Sequence, residues 1–76
     1  MTYSEKNRYI SYMLLEHELK AIAGKGASLY LEGEKSDAKE IAAACIFKED
    51  TDYMRDYVWN ESGQLTELKF DVVNNI

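Results

Sequence analysis

The chain has too few cysteine and histidine residues to be crosslinked by a disulfide or a structural metal ion. Cys45 is the single cysteine and His17 the single histidine among 76 residues, so neither an internal disulfide nor a structural zinc site can form. A domain of this size buries a modest fraction of its surface and has a small stability margin. The sequence therefore predicts one domain over residues 1–76 that depends on close packing or on self-association.

The chain is acidic, with a net charge of −5 from 14 acidic and nine basic residues. This balance argues against binding to nucleic acid or to an anionic membrane, because both need a cationic surface. The N-terminal segment lacks the long apolar run of a signal peptide, and no segment approaches the ~18 consecutive apolar residues of a membrane-spanning helix. We therefore expect a cytoplasmic protein with a reduced thiol.

The N-terminal segment has the pattern of one long helix over residues 4–23. Thr2 and Glu5 fit a capping box, Ser4 is a second candidate cap, and Gly24 is well placed to end the helix. Two apolar stripes on one helix are more apolar surface than packing on a single sheet requires. The first stripe contains Tyr12, Leu15, Leu19, Ile22 and Ala23, and the second, about 120° away, contains Ile10, Leu14 and Ala21, with Met13 beyond it.

Three other segments alternate apolar and polar residues in the way that is typical of strands. They are residues 27–31, 53–59 and 64–73. The turn GEKSD follows the first, and the loop at residues 60–63 joins the other two, with Gly63 free to take a positive φ. Short connections of this kind predict antiparallel neighbours.

Residues 38–48 fit either a helix or a strand. Three consecutive alanines, together with a capping box formed by Asp37 and Glu40, favour a helix. The continuous apolar run favours a central strand that is covered on both faces, and we choose the strand. The predicted fold class is then α+β, with one long N-terminal helix packed on a four-stranded antiparallel meander sheet in two layers. If residues 37–47 are helical instead, the order becomes αβαββ.

One of the predicted strands carries three aromatic rings on a single face. The rings belong to Tyr53, Tyr57 and Trp59, and they share that face with Arg55. The apolar residues that alternate along the other strands need the cover of the helix. We therefore predict that the three rings lie on the opposite face of the sheet, together with Tyr30.

The reverse arrangement stays open, because the sequence does not determine which face of the sheet a side chain occupies after a turn. It would place the rings in the core and Met54, Asp56 and Val58 outside.

In either arrangement one face keeps apolar surface that a lone chain of 76 residues cannot cover. Tyr and Trp also simply suit strands, but aromatic residues and arginine are enriched at interface cores, so we predict a two-fold homodimer. The candidate interface residues are Tyr30, Tyr53, Arg55, Tyr57 and Trp59.

No pattern in the sequence indicates a catalytic site, a cofactor site or a metal site. His17 lies near the second helix stripe, so we interpret it as a partly buried structural residue. Cys45 lies in an apolar run, where a thiol behaves as a small hydrophobic group. The acidic turn KEDTD lacks the ligands of a calcium loop, and GKG lacks the spacing of a phosphate-binding loop.

We therefore expect a small protein-interaction or regulatory module without enzymatic activity, which acts through its sheet face or an edge strand. One alternative is a small-ligand-binding domain that uses the groove between helix and sheet. Another is an acidic inhibitor that mimics nucleic acid, although its carboxylates would be denser than these, which alternate with lysines. The expected partners are a second copy of the chain and an unidentified protein.

Overall fold

The chain forms two helices and a four-stranded sheet, which is an α+β fold as predicted. The computed structural model describes the backbone of residues 3–48 and 50–75 and the side chains of residues 7–48 and 50–73. Thr2, the predicted cap of the first helix, lies outside the described residues. The elements are α1 (Tyr3–Gly24), β1 (Ser28–Leu31), β2 (Glu34–Lys35), α2 (Ala38–Phe47), β3 (Thr51–Trp59) and β4 (Leu65–Asn75).

The sheet is mixed, so the prediction of a wholly antiparallel meander is wrong. Its strand order is β2-β1-β4-β3. Two antiparallel hairpins, β1–β2 and β3–β4, lie side by side and are joined by the parallel pair β1–β4. Parallel strands cannot be joined by a tight turn. The chain therefore crosses from β2 at one edge to β3 at the other, and α2 forms that crossing.

The segment that we predicted as a central strand is the helix α2, so the αβαββ alternative is right on this point. The structure also contains β2, a strand of two residues where the sequence indicated only a turn. Asp37 caps α2, since its carboxylate accepts a hydrogen bond from the backbone N–H of Glu40 at 2.8 Å. The Ser36 hydroxyl donates to the Glu40 carboxylate at 2.6 Å. The apolar run is continuous because α2 packs against both the sheet and α1.

The core lies between the two helices and one face of the sheet. Leu19 of α1, Ile41 of α2 and Leu68 of β4 are each 0% exposed. Leu29 of β1 and Phe70 of β4 complete the centre of this cluster. Burial of a large aliphatic or aromatic side chain contributes roughly 1.5–3 kcal/mol, so these five residues dominate the stability of the chain.

The two apolar stripes of α1 have different environments. The first faces the core through Leu15, Leu19 and Ile22. The second is exposed, with Ile10 at 46% and Leu14 at 67% exposure. The other large exposed hydrophobic residues of α1 are Tyr9 and Met13, and His17, which we predicted to be partly buried, is also exposed.

The hydrogen bond from Glu40 to Asp37 provides a test of the α2 cap. We expect Asp37→Ala to lower the free energy of unfolding by about 1 kcal/mol, because it leaves an N-terminal N–H of α2 without its acceptor. Asp37→Asn removes the charge but keeps the acceptor, so it should change stability little. Urea denaturation of the three proteins measures both values, and equal losses in the two variants would contradict the role of the cap.

Candidate interaction surface

β3 is an edge strand of nine residues that pairs with β4 along one side only. No strand in the described part of the chain pairs with its other side. The register skips Thr66 and Val73, so both bulges lie in β4 and β3 itself stays regular. The Val58 carbonyl accepts a hydrogen bond from the Thr66 hydroxyl at 3.1 Å and therefore points toward β4. Because backbone polar groups alternate along a strand, those of Tyr57 point to the free edge.

The rings of β3 lie on the same face of the sheet as the helices, so the prediction that they lie on the opposite face is wrong. Arg55 is paired with Phe70 and Tyr57 with Leu68. Residues directly opposite each other in an antiparallel pair share a face, and Phe70 and Leu68 are buried in the core. The reverse arrangement is therefore correct as to the face of the sheet, although Tyr57 and Trp59 are exposed there and are not part of the core.

The candidate interface residues do not form one group. Tyr53, Arg55, Tyr57 and Trp59 alternate along β3 and share the helix face. Tyr30 is paired with Lys69 on the opposite face, since Lys69 is also paired with an outward residue of β3. The outer face of the sheet, which carries Tyr30, is mainly charged. Its other members on β3 and β4 are Met54, Asp56, Val58, Glu67, Lys69 and Asp71.

Exposure of the β3 rings increases along the strand. Tyr53 is half-buried and packs against the core, whereas Tyr57 is 42% and Trp59 59% exposed. The last two rings stack, with centroids 6.4 Å apart and an interplanar angle of 20°. We call the free edge of β3, together with the exposed rings of Tyr57 and Trp59, the β3 surface.

Arg55 connects the β3 surface to α1. Its guanidinium donates to both carboxylate oxygens of Glu18, at 3.2 and 3.4 Å, and to the Tyr57 hydroxyl at 3.2 Å. It also lies 5.3 Å from the centre of the Phe70 ring. Partial burial opposes the charged form, yet the hydrogen bonds to Glu18 and Tyr57 raise the pKa of Arg55 overall. Arg55 is therefore a fixed cation that holds the Tyr57 ring in place.

Cys45 lies beneath this network, beside Leu15, Tyr53 and Arg55. Burial raises the pKa of the Cys45 thiol, and the nearby charge of Arg55 acts in the opposite direction. The sequence showed no basic neighbour closer than Lys48, so the proximity of Arg55 is a product of the fold. A raised pKa favours the neutral thiol, which agrees with the prediction of a small hydrophobic group.

A cleft of about 530 Å³ separates the end of α1 from the β3–β4 hairpin. Ile22, Ala27, Trp59 and Leu65 form its apolar lining. The sequence suggested a groove between helix and sheet but did not identify these lining residues, because the bulge at Thr66 turns Leu65 to the helix face against simple alternation. No group of three metal-ligating side chains occurs within the described residues.

Comparison of the chain with protein families, with curated proteins and with solved structures found no match. Neither of the helices described above combines the length and the apolar character needed to cross a membrane.

The environment of Cys45 predicts slow alkylation at neutral pH. The thiolate is the nucleophile, so the raised pKa should shift the rate–pH profile with iodoacetamide to higher pH than in the urea-unfolded chain. The stability contributed by the neutral thiol is present at neutral pH and is lost as pH rises through the raised pKa. Arg55→Gln should shift the profile further upward, whereas Lys39→Gln on the exposed side of α2 should not. Identical profiles for the folded and unfolded chains would contradict this assignment.

Proposed function

We propose that this chain is a small non-enzymatic protein-interaction module that binds protein through the β3 surface. The observation that carries the proposal is a regular nine-residue edge strand whose free side adjoins two exposed, stacked rings. A free edge offers main-chain hydrogen bonds to an added strand, and neighbouring side chains supply specificity.

The side chains of the β3 surface are suited to protein recognition. Tyrosine, tryptophan and arginine are the residues that most often dominate binding energy at interfaces. Tyr57 and Trp59 are already stacked on each other, and Arg55 is held by Glu18. Binding to this surface therefore requires little ordering of side chains, which lowers its entropic cost.

A cytoplasmic location fits this proposal. Cys45 is a free thiol, and single unpaired cysteines are typical of proteins in a reducing compartment. A partner in the same compartment would meet the β3 surface without any need for a disulfide or a metal ion at the interface.

The cleft beside Trp59 supports a second candidate function, the binding of a small ligand. Its volume of about 530 Å³ lies in the range of small-molecule sites, which is ~300–1,000 Å³. A ligand that binds there would raise the melting temperature of the protein. A flat response across a panel of small metabolites would count against this candidate.

Site-specific photocrosslinking tests the proposed function. The photoreactive residue p-benzoylphenylalanine is placed at Trp59 in one variant and at Tyr30, on the opposite face, in the other. Irradiation in living cells of the source organism should give discrete protein adducts from position 59 and few from position 30. Equal adduct patterns, or none from position 59, would rule out the β3 surface as the binding site. Adduct masses also show whether the partner is another protein or a second chain of 8.8 kDa.

A further inference from the structure

We infer that the partner of the β3 surface is a second copy of this chain, paired β3 to β3 in antiparallel orientation about a two-fold axis at Asp56. This inference rests on the proposed function, because it names the occupant of the same surface. The free edges of the two strands join the two four-stranded sheets into one continuous sheet. Each copy then satisfies the outward backbone groups of the other.

Geometry restricts the possible registers to a few. A two-fold axis perpendicular to the sheet keeps the helix faces of both copies on the same side. Residues that lie opposite each other across the axis must therefore come from the same face of β3. Such a pairing is centred on a single residue, which lies opposite its own copy at the axis. The candidates near the middle of the strand are Arg55, Asp56 and Tyr57.

The register centred on Asp56 brings together complementary side chains. On the helix face, Tyr53 lies opposite Trp59 of the second copy, and Arg55 lies opposite Tyr57. On the outer face, Met54 lies opposite Val58. Aromatic, cation–aromatic and apolar cross-strand pairs of this kind are favourable, and the two-fold axis makes each of them twice.

The neighbouring registers are less complementary. An axis at Arg55 places the Arg55 guanidinium opposite the same group of the second copy, which is a like-charge pair. It also places the apolar Met54 opposite the charged Asp56. An axis at Tyr57 places Asp56 opposite Val58 and Met54 opposite Asn60. In the preferred register, the single unfavourable pair is Asp56 with its own copy, and Lys69 lies directly opposite Asp56 on β4 of each chain. The Lys69 ammonium group forms an ion pair with Glu67 at 3.5 Å, and the two lysines reduce the repulsion between the two carboxylates at the axis.

The exposed area of the chain is consistent with one missing partner. Its accessible surface is 5451 Å², whereas a compact monomer of its mass should expose about 4,800 Å². Its radius of gyration is 13.2 Å, compared with about 11 Å for a compact domain of the same length. The excess of roughly 700 Å² reflects the elongated shape of the chain, whose extents are 46 × 26 × 17 Å, and it leaves surface available for a second copy.

The carboxylate on the axis provides a first test, with Asp71 as the matched control. Light scattering with size exclusion should give a mass near twice 8.8 kDa. Asp56→Asn removes the like-charge pair, so it should lower the dimer dissociation constant several-fold. Asp71→Asn makes the same charge change on the same outer face but away from the axis, so it should have no such effect. A monomer at all concentrations, or equal effects of the two variants, would overturn the inference.

The outward N–H of Tyr57 provides a second variant for the same measurement. Tyr57→Pro removes that donor without removing a hydrogen bond to β4, so it should abolish the dimer while circular dichroism shows a folded chain. Tyr57→Ala keeps the donor and should retain more of the dimer than Tyr57→Pro. A dimer that persists in folded Tyr57→Pro would exclude pairing through the β3 edge.

Disulfide trapping tests the register directly, in a Cys45→Ala background. Asp56→Cys should form a symmetric disulfide dimer under mild oxidation, because a residue on the axis faces its own copy. Met54→Cys and Val58→Cys should crosslink efficiently only when mixed. Preferential trapping of Arg55→Cys or Tyr57→Cys would overturn the proposed register.

Failure of this inference is distinguishable from failure of the proposed function. A monomer whose position 59 still crosslinks to a different protein would overturn self-pairing and leave the interaction module intact. A monomer that gives no crosslinks from position 59 would overturn both.

Discussion

The parallel pairing of β1 with β4 is the constraint on which the rest of the molecule depends. Parallel neighbours require a connection that crosses the sheet, and α2 makes this crossing between β2 and β3. Because α1 packs beside α2 on the same face, both helices bury Leu68 and Phe70 of the central strand. The same topology leaves β3, the longest strand after β4, at an edge of the sheet.

The two helices cover the four strands incompletely, and the uncovered part is the candidate interaction surface. Ala38 and Ala42 of α2 are small and buried, and α2 packs mainly against α1. Toward β3, α1 is connected by the ion pair of Glu18 with Arg55, and a partly exposed ion pair contributes little stability. The main effect of this ion pair is on geometry. It fixes the Arg55 guanidinium between the core ring of Phe70 and the surface ring of Tyr57.

Both edges of the sheet limit indiscriminate pairing in different ways. β2 is only two residues long, so it offers a poor template for another strand. β3 is long, but Asp52, Arg55 and Asp56 place charges along it, and charged side chains on an edge discourage aggregation. In the proposed interaction, a partner strand has to match both the rings and the charges of β3, which would make pairing at this edge selective.

The sequence by itself determined the elements whose signals are local. The long helix, the β3–β4 hairpin and the Asp37 cap were all readable from periodicity, turn residues and capping pattern. Residues 38–48 were ambiguous because an apolar run is produced equally by a strand covered on both faces and by a helix that packs on two neighbours.

Only the tertiary structure decided which side of the sheet holds the rings and which strand lies at its edge. The alternation of side chains between the two faces of a strand cannot be followed through a loop. The bulge at Thr66 also shifts this alternation by one residue within β4. Strand order depends on the crossing of α2, which leads to the pairing of β1 with β4, two segments far apart in the chain. Alternation with Leu29 and Leu31 placed Tyr30 correctly on the face away from the helices, where it pairs with Lys69, but the β3 rings lie on the other face.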